Sequence, residues 1–424
     1  MTPQGSRFIS RITSETLSII LAGGKGSRLK GLTDWRAKPA VPFGGKFRII
    51  DFALSNCMNS QVRKVCVLTQ YKAHSLIRHI HQGWGFLRGE LGGFVEVIPA
   101  QQWNDSEEWF AGTADAVYQS LDILKSHYTQ YALILSGDHV YKMDYGEMLA
   151  FHVKSQADFT VACTVVPREE AKGFGVMKVD EQQRIINFTE KPDSPPPIPG
   201  KPDHALASMG VYVFSMDYLI KEIERDARLK ESSHDFGKDL IPHAVAEGHR
   251  AFAFPFQNPA GGDKVPYWQD VGELDSFFNT HMELLASKPP FDLFDRDWPI
   301  YSHPEQLPPA RFSSLEGLPG VALNSMVSGG CVVLGAQVEN SILSSAVEVG
   351  PGSRLDQVVA LPHCNIGKNV RLSRVILDKG CSVPDGTVVG EDPHDDEARF
   401  ERTKAGVVLI TREMLGQKES YPSY

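Results

Sequence analysis

Apolar and polar positions divide the chain into a long region of alternating patterns and a shorter region built on one repeated unit. From about Thr16 to Leu285, short apolar runs alternate with segments whose apolar residues recur every three or four positions. The first pattern is typical of buried strands and the second of helices packed on a sheet. The alternation predicts an α/β domain with a Rossmann-like, mostly parallel sheet. The predicted strands are Ser18–Leu21, Lys64–Thr69, Phe94–Ile98, Ala132–Leu135 and Phe159–Val166, and the predicted helices are Asp51–Asn59, Ser75–Gly83, Ala114–Ser126 and Tyr145–Lys154.

Beyond Val166 the pattern changes to two short β-rich pieces, Gly175–Val179 and Ile185–Glu190, which follow each other as in a hairpin. The proline-rich stretch that ends at Pro199 cannot be helical. We interpret this part as an antiparallel extension of the sheet. The stretch Lys288–Pro319 is again rich in proline and shows no clear period, which predicts a linker.

From about Val327 to Gly390, small aliphatic residues recur at intervals near six, with glycines at the corners. This period predicts a parallel β-helix of about three or four coils. A solenoid so short exposes its end surfaces, so we expect it to pack on the first domain or on another subunit. The predicted division is a flexible N-terminal segment at 1–15, the α/β domain at 16–287, a linker at 288–326, and the β-helix with its tail at 327–424.

Composition excludes several classes of protein. The 424 residues include 43 Lys+Arg and 52 Asp+Glu, and no basic run offsets the net charge of −9, so a nucleic-acid or anionic-membrane role is disfavoured. Six cysteines without a Cys-x-x-Cys pair argue against a zinc ribbon or a disulfide scaffold, and predict reduced, mostly buried thiols. No apolar run has signal-peptide or membrane-spanning length, so we expect a cytoplasmic protein.

A glycine-rich turn follows the first predicted strand: Gly23, Gly24 and Gly26, with Arg28 close behind. Bare backbone amides can approach an anion closely, and basic side chains neutralise it. The turn lacks the Gly-Lys-Ser/Thr ending of a P-loop and the glycine spacing of the dinucleotide fingerprint. It therefore predicts a phosphate-binding loop of another kind.

Two carboxylates are candidate metal ligands. Asp138 follows the predicted strand Ala132–Leu135, at the strand end where open α/β sheets bind ligands, and hard oxygen ligands suit Mg²⁺. Asp270 lies just before a predicted helix that starts near Glu273. Each carboxylate is alternatively only a cap for the turn or helix beside it. If the two converge, they would hold a metal that bridges phosphate oxygens.

Two further positions have alternative interpretations. Lys191 lies between a predicted strand and Pro192, so its backbone is restricted and its charge is directed. It is either a phosphate ligand or an ordinary surface lysine. Gly112 and Thr113 open a predicted helix, where they either hold a base or ribose or only start the helix.

The order of the motifs resembles that of the sugar-nucleotide pyrophosphorylases. Ahead of the hexapeptide repeats and after the glycine-rich turn, the motifs are Lys38-Pro39, Gly112-Thr113-Ala114, Gly137-Asp138, Glu190-Lys191-Pro192 and Trp268-x-Asp270-Val271-Gly272. Three longer strings are most similar to the bacterial members that use ATP and glucose 1-phosphate: Arg36–Asn56, Ser233–Asp239 and Val327–Cys331. The resemblance extends from about Ser18 to Leu415.

This resemblance implies a nucleotidyltransferase domain followed by a short left-handed parallel β-helix. It also implies a reaction in which ATP and α-D-glucose 1-phosphate give pyrophosphate and ADP-glucose, the glucosyl donor of glycogen biosynthesis. A phosphate oxygen of the sugar phosphate attacks the α-phosphorus in line, so the enzyme mainly positions its substrates and neutralises charge. No covalent enzyme intermediate is needed.

The family pattern, matched position by position, also implies roles for individual residues. The implied catalytic residues are Arg28, Asp138, Lys191 and Asp270, with Mg²⁺ held by Asp138 and Asp270. The implied ATP contacts are Gly23, Gly24, Gly26, Gln70 and Gly112. The implied glucose 1-phosphate contacts are Glu190, Lys191, Ser208 and Tyr212.

Members of this family are usually homotetramers that respond to anionic metabolites. Fructose 6-phosphate, fructose 1,6-bisphosphate or pyruvate activate them, and AMP or phosphate inhibits them. The resemblance implies an effector site between the two domains that includes Lys46, Arg48 and Arg412.

Three positions depart from the family pattern. Trp35 precedes Arg36 where enterobacterial relatives carry an activator-contacting lysine, and Pro42 replaces a histidine or tyrosine, so we do not expect the strong response to fructose 1,6-bisphosphate of the enterobacterial kind. Phe110 replaces a tyrosine near the nucleotide, so the ring remains and its hydroxyl is lost.

Three other functions compete with this one. A pyrophosphorylase for another nucleotide or sugar would share the fold, but the long strings at 36–56 and 233–239 argue against it. A catalytically silent regulatory subunit would have no need of the acidic and basic site residues that this chain retains. An acyltransferase in the β-helix would need a longer solenoid and a base for its acceptor, and only His363 lies inside the repeat.

Overall fold

The computed structural model describes residues 3–24, 26–87, 89–100, 109–259 and 266–417. Lys25 of the glycine-rich turn and residues 418–424 of the predicted tail lie outside this part. The strands of the first domain are β1 Thr16–Leu21, β2 Pro42–Phe43, β3 Phe47–Arg48, β4 Lys64–Thr69, β5 Phe94–Pro99, β6 Tyr131–Ser136, β7 His139–Tyr141, β8 Phe159–Pro167, β9 Gly175–Val179, β10 Ile185–Glu190, β11 His204–Ser215, β12 Ala251–Pro255 and β13 Trp268–Asp270. Its α-helices are α1 Pro3–Ser14, α2 Ile49–Asn59, α3 His74–Gly83, α4 Thr113–Gln119, α5 Leu121–Lys125, α6 Tyr145–Lys154, α7 Arg168–Ala171, α8 Met216–Asp226, α9 Ile241–Ala246 and α10 Leu274–Glu283.

A nine-stranded sheet forms the centre of this domain, and its main path runs β10-β9-β11-β6-β1-β4-β5, with β8 paired to β11 and β12. Strands β6, β1, β4 and β5 are parallel, whereas β11 is antiparallel to β6 and β8. Strands β9 and β10 form the expected antiparallel hairpin. Successive residues of β1 face opposite cores, with Ile19 on one side and Ile20 on the other. The expected α/β domain with a mostly parallel sheet is confirmed.

Two helical segments differ from the prediction. The N-terminal segment, which we expected to be flexible, contains helix α1. Ile9 and Ile12 lie one turn apart on this helix, and Ile12 is buried. Ile9 lies close to Gly146 of α6, because a Cβ added at Gly146 would approach it. The single helix predicted over 114–126 is two helices, α4 and α5. Ser120 separates them, and its hydroxyl donates to the carbonyl of Ala116, a local bond that competes with the helical ladder.

The second domain is a left-handed parallel β-helix with a short helix, α11 Pro393–Arg399, inserted near its end. Its strands are β14 Arg311–Ser313, β15 Val321–Leu323, β16 Met326–Val327, β17 Val332–Leu334, β18 Gln337–Glu339, β19 Ile342–Leu343, β20 Glu348–Val349, β21 Arg354–Ala360, β22 Asn365–Ile366, β23 Arg371–Leu377, β24 Ser382–Val383, β25 Val388–Val389, β26 Glu401–Arg402 and β27 Val408–Ile410. One face stacks in the order β14-β17-β20-β22-β24.

The β-helix begins inside the segment that the sequence predicts as a linker, residues 288–326. Arg311 of β14 already stacks on Val332, 21 residues later along the chain. The following turns are shorter, because Val332 stacks on Glu348 and Glu348 on Asn365, 16 and 17 residues later. The longer first turn breaks the period of six, which is why the sequence pattern starts too late.

One apolar core continues from the first domain into the β-helix. Phe43, Phe52 and Phe277 of the first domain share a buried cluster with Ile342 and Val359 of the β-helix. This contact is one of the two packing arrangements expected for a short solenoid. None of the helices in the described ranges has the length and apolar character needed to cross a lipid bilayer.

Candidate active site

The largest concentration of predicted site residues surrounds a cavity of about 590 Å³ at the carboxyl ends of β1 and β6. This is where ligands bind in open α/β sheets, and the volume suits a nucleotide and a sugar. The predicted residues that line the cavity are Gly23, Gly24, Gly26, Arg28, Gln70, Gly112, Asp138, Glu190, Lys191 and Tyr212.

The glycine-rich turn is fitted closely to its surroundings. The amide of Ala22, just before the turn, donates to the Leu68 carbonyl at 2.9 Å and so fixes the position at which the chain enters the turn. Gly26 has a φ of 63°, and a Cβ there would lie 2.9 Å from the Cβ of Lys38. Only glycine adopts this conformation and this approach without strain. The turn therefore lies directly against Lys38.

The two candidate metal ligands converge, as the structure brings their segments together through a short ribbon. Strand β7 begins directly after Asp138, and it pairs with β13, so that Asp270 lies opposite His139. The ligand atoms of Asp138, His139 and Asp270 all lie within 4.8 Å of one another. Neither carboxylate caps a described helix: Asp138 is followed by strand β7, and the N-cap of α10 is Glu273 rather than Asp270.

Lys38 lies between the two aspartates. Its ammonium is 3.0 Å from Oδ2 of Asp138 and 2.6 Å from Oδ1 of Asp270, and its side chain is only 6% exposed. Burial opposes a charge on Lys38, but the two carboxylates outweigh burial and raise its pKa. Burial likewise opposes ionisation of Asp138, and the charges of Lys38 and His139 outweigh it and lower the pKa of Asp138. Lys38 and Asp138 are therefore both ionised near neutral pH.

Arg28 adds a second positive charge beside Asp270, on the side that faces solvent. Its guanidinium lies 3.5 Å from Asp270 and 3.2 Å from Glu273, and 63% of its side chain is exposed. A Cβ at Gly272 would lie 2.9 Å from both Arg28 Nη2 and Asp270 Oδ1. Gly272 thus leaves the space in which Arg28 reaches the aspartate.

Lys191 and Glu190 lie on the opposite wall, at the end of β10. Lys191 has a φ of 46°, its amide donates to the Phe174 carbonyl at 3.0 Å, and its exposed ammonium lies 3.8 Å from Oε1 of Glu190. Glu190 is packed between two glycines, since a Cβ at Gly175 or Gly237 would lie 2.8 or 2.7 Å from its Oε2. Burial raises the pKa of Glu190, partly offset by Lys191.

Tyr212 and Ser208 lie together on β11, and only Tyr212 lines the cavity. The hydroxyl of Ser208 accepts the amide of Gly210 at 3.2 Å. Burial raises the pKa of Tyr212, so its hydroxyl stays protonated and can donate a hydrogen bond.

Gly112 has a steric reason to be glycine. A Cβ there would collide with the carbonyl oxygens of Ser233 and His234. Next to it, the hydroxyl of Thr113 donates to Asp235 at 3.0 Å, and Asp235 accepts the amides of Gly237 and Lys238. The start of α4 is therefore joined to the 233–239 segment, which forms the cavity wall.

Two residues of this site are absent from the sequence-based assignments. Lys38 belongs to a quoted motif, but its contact with both aspartates depends on the β7–β13 ribbon. Asp235 belongs to the 233–239 string, and its place in the cavity wall depends on the contact with Thr113. The motifs at 38–39 and 233–239 mark both residues in the sequence, but they do not show which residues each one contacts.

A second cavity, of about 270 Å³, lies between the first domain and the β-helix. Of the three residues expected at an effector site, it is lined by Arg48 and Arg412, whereas the exposed Lys46 lies over the ring of Phe47 and does not line it. The other basic residues that line it are Arg36, Lys72, His74, Arg78 and Lys379. Its acidic residues are Asp34, Asp378 and Glu413.

Buried contacts hold the side chains that line this second cavity in place. Arg36 forms a two-pronged bond with Asp378 at 2.7 and 3.2 Å, which joins the two domains. The guanidinium of Arg48 donates to the carbonyls of Ala40 and Ser75. Burial lowers the pKa of Arg48 to about 10, with Asp51 opposing and Arg36 reinforcing the shift.

Comparison with known proteins agrees with this geometry. Residues 17–287 match the nucleotidyl transferase family, and residues 308–410 match the GlmU-like, C-terminal hexapeptide family. The chain is 58% identical to the glucose-1-phosphate adenylyltransferase of Nitrosococcus oceani, an alignment that covers 98% of both chains. It is 54% identical to the enzyme of the same name from Methylococcus capsulatus, over 97% of both chains. For that of Nitrosomonas europaea the identity is 53%, over 99% of this chain and 98% of the relative.

Proposed function

The chain belongs to the glucose-1-phosphate adenylyltransferases of the nucleotidyl transferase family, and we propose that it transfers the adenylyl group of ATP to glucose 1-phosphate in the larger cavity. The products are ADP-glucose and pyrophosphate, and ADP-glucose serves as the glucosyl donor for glycogen. One observation carries the proposal: the glycine-rich turn, Asp138 and the buried Lys38 line one cavity together with Lys191, and Lys38 also contacts Asp270.

The nucleotide is assigned to the half of the cavity formed by the glycine-rich turn. Gly23, Gly24 and Gly26 offer backbone amides to the triphosphate, and Arg28 stabilises the departing pyrophosphate. Gln70 and Gly112 are assigned to the adenine. Gln70 supports this position because a Cβ at Gly23 would lie 3.5 Å from its amide oxygen, so the amide lies beside the turn.

Glucose 1-phosphate is assigned to the opposite half. Lys191 binds its phosphate, while Glu190, Tyr212 and Ser208 recognise the sugar hydroxyls directly or through one another. The phosphate oxygen then lies in position to attack the α-phosphorus in line, as bond formation to one oxygen accompanies loss of pyrophosphate from the other side. Positioning and charge neutralisation supply the rate enhancement.

A divalent metal fits the aspartate pair. Asp138 and Asp270 both direct oxygens at one cation, the Lys38 ammonium, and carboxylate oxygens are hard ligands. We assign Mg²⁺ to this pair; when bound, it neutralises phosphate charge. Lys38 holds the two carboxylates at a fixed separation, and its charge keeps the pKa of Asp138 low.

The nucleotide assignment is tested by pyrophosphate release with glucose 1-phosphate and each of the four common nucleoside triphosphates. We expect a clear preference for ATP. A preference for UTP or GTP would instead identify a pyrophosphorylase for another nucleotide, and no activity with any of them would identify a silent regulatory subunit.

We further propose that the smaller cavity binds an anionic effector, such as fructose 6-phosphate, fructose 1,6-bisphosphate, pyruvate, AMP or phosphate. Its support is the excess of basic over acidic lining residues, with Arg48 and Arg412 among them. Lys46 is not part of this proposal, because it lies outside the cavity lining. Activity titrated with each metabolite tests it, and the absence of any response would contradict it.

We also propose a homotetramer located in the cytoplasm. Support for assembly comes from the first coil of the β-helix, which exposes the apolar side chains of Phe312, Leu318 and Leu323. Light scattering on the purified protein gives the subunit number directly, and a monomer would refute the assembly.

A further inference from the structure

We propose that Cys66, Glu96 and His127 form a binding site for one Zn²⁺ ion, separate from the active site. Sγ of Cys66 lies 3.8 Å from Nε2 of His127, which lies 3.5 Å from Oε2 of Glu96. The three ligand atoms all lie within 4.8 Å of one another. Along β4, Cys66 is four residues before Gln70 of the nucleotide site, a separation of roughly 13 Å at the rise of a strand.

The sheet itself brings two of these ligands together. Strands β4 and β5 are parallel neighbours, and Cys66 lies directly opposite Glu96 in their register. Side chains at paired positions of neighbouring strands extend from the same face of a sheet. His127 follows α5 and approaches this face, where its ring stacks on Phe94 at 4.6 Å and 27°. The imidazole is thus oriented by an aromatic neighbour before any ion binds.

The separations match a tetrahedral zinc site. Zinc bonds of about 2.3 Å to sulfur and about 2.1 Å to nitrogen and oxygen place tetrahedral ligands about 3.6 Å (S and N) and about 3.4 Å (N and O) apart. The corresponding distances here are 3.8 and 3.5 Å. These two separations need shifts of only a few tenths of an ångström. The third, between Sγ of Cys66 and the Glu96 carboxylate, is within 4.8 Å, and rotation of the partly exposed Glu96 side chain can bring its oxygen onto the same ion.

The donor set selects the class of metal. A thiolate and an imidazole suit zinc, whereas Mg²⁺ and Ca²⁺ prefer oxygen ligands alone. Burial raises the pKa of the Cys66 thiol, so the free protein keeps the thiol proton and a zinc ion displaces it on binding. The Glu96 side chain is 45% exposed and that of His127 is 18% exposed, so the ion has access from solvent and water can complete its coordination.

Such an ion would join β4, β5 and the end of α5. No disulfide joins these elements, because Cys66, like the other five cysteines, is a free buried thiol. The sequence gives no sign of this site, since the ligands come from positions 66, 96 and 127 and form no Cys-x-x-Cys or His-x-x-x-His pattern. The juxtaposition of Cys66 and Glu96 depends on the register of β4 and β5.

The experiment uses Co²⁺ as a spectroscopic substitute for Zn²⁺ on the full-length protein, freed of metal and supplied with excess Mg²⁺. Mg²⁺ occupies carboxylate sites such as Asp138 and Asp270, and it does not compete for a thiolate. We expect one equivalent of Co²⁺ to produce a thiolate-to-cobalt charge-transfer band, which one equivalent of Zn²⁺ removes. Absence of the band would overturn the proposal and identify a hydrogen-bonded group only.

Variants assign the band to these residues. Cys66→Ala should abolish it, and His127→Ala and Glu96→Gln should each weaken Co²⁺ binding at least about tenfold. Cys163→Ala is the matched control, because Cys163 is another fully buried thiol of the same sheet and donates only to the Phe254 carbonyl. A band that survives in Cys66→Ala, or disappears in Cys163→Ala, would refute the assignment. Should Cys66→Ala not fold, the variants at His127 and Glu96, which are both accessible to solvent, still decide the question.

Discussion

The two cavities described above, of about 590 and about 270 Å³, both gather basic residues, but the charge of these residues is neutralised to a different extent in each. In the larger cavity Lys38 is balanced by two aspartates, and Lys191 lies beside Glu190. In the smaller cavity six Lys and Arg residues face three carboxylates, and one of those, Asp378, is already bonded to Arg36. The larger cavity is therefore close to electrical balance, and the smaller one retains positive charge.

The difference corresponds to two ways of handling phosphate. A balanced site with a metal can bind two anions, let them react and release the products, because no excess charge holds them. A site with excess cations binds one anion without reaction, and the binding relieves repulsion among its own residues. Burial together with Arg48, Arg36 and Arg78 lowers the pKa of Lys379 to about 8, which shows this repulsion before any anion is present.

The largest expected effect is at Asp138. Asp138→Asn should fold normally and lower kcat at least about 1,000-fold, because the substitution removes a charge that holds the metal and Lys38. Steady-state pyrophosphate release measures it, and Asp122→Asn on the exposed face of α5 is the control. Retention of activity would show that the aspartates are structural, and the contrast between the cavities would fail.

The second effect is on stability and concerns the bond between the domains. Arg36→Ala should lower the free energy of unfolding by about 3 kcal/mol, because it leaves Asp378 buried without its partner. Arg371→Ala is a matched control, since its two-pronged bond to Glu391 lies on the surface and its loss should cost at most about 1 kcal/mol. Chemical denaturation compares the two, and equal losses would contradict the assigned burial.

A third prediction separates the cavities by ligand. Lys379→Gln should weaken binding of inorganic sulfate about tenfold, since it removes one charge from the smaller cavity, and it should leave kcat unchanged without effector. Lys191→Gln should do the reverse, with a raised KM for glucose 1-phosphate and unchanged sulfate binding. Calorimetry and kinetics on both variants test this prediction. A raised KM for glucose 1-phosphate in Lys379→Gln would show that the two cavities are not separate binding sites.

The smallest effect is a pH dependence of the same binding. Sulfate favours the protonated form of Lys379, whose pKa is about 8, so affinity should be highest below that pH and fall as the pH rises through it. Between about pH 7 and about pH 9 we expect a several-fold loss, while sulfate itself stays fully ionised. The loss should vanish in Lys379→Gln. A pH-independent affinity in the unmodified protein would exclude Lys379 from the site.

Local patterns in the sequence were sufficient for most of the first domain. Lys64–Thr69 and Tyr145–Lys154 have the predicted bounds, because their apolar periods coincide with the packed faces. The division of the helix at Ser120 was not predictable in this way, since a serine is tolerated within a helix and its effect depends on the hydroxyl bond it forms. The early start of the β-helix at Arg311 was missed because its first coil lacks the period of six.

The site was predictable in kind and not in arrangement. The glycine-rich turn and Asp138 follow strands, and position after a strand is visible in a sequence. That Asp270 and Lys38 meet Asp138 depends on a pairing between residues some 130 positions apart, 268–270 with 139–141, which no local pattern encodes. The same holds for Cys66 and Glu96, whose opposition is a matter of register alone.

One contact joins the phosphate-binding loop to the far end of the chain. Gly31 lies within the short helical segment Ser27–Thr33, and a Cβ there would lie 2.6 Å from the methyl carbon of Thr411, directly after β27. Lys30, with a φ of 52°, forms an ion pair with Glu401 of β26. The space for Thr411 therefore depends on a glycine about 380 positions earlier in the chain. A chimera that combines this catalytic domain with another β-helix keeps both contacts only if the residues at positions 401 and 411 match those at 30 and 31 in size and charge.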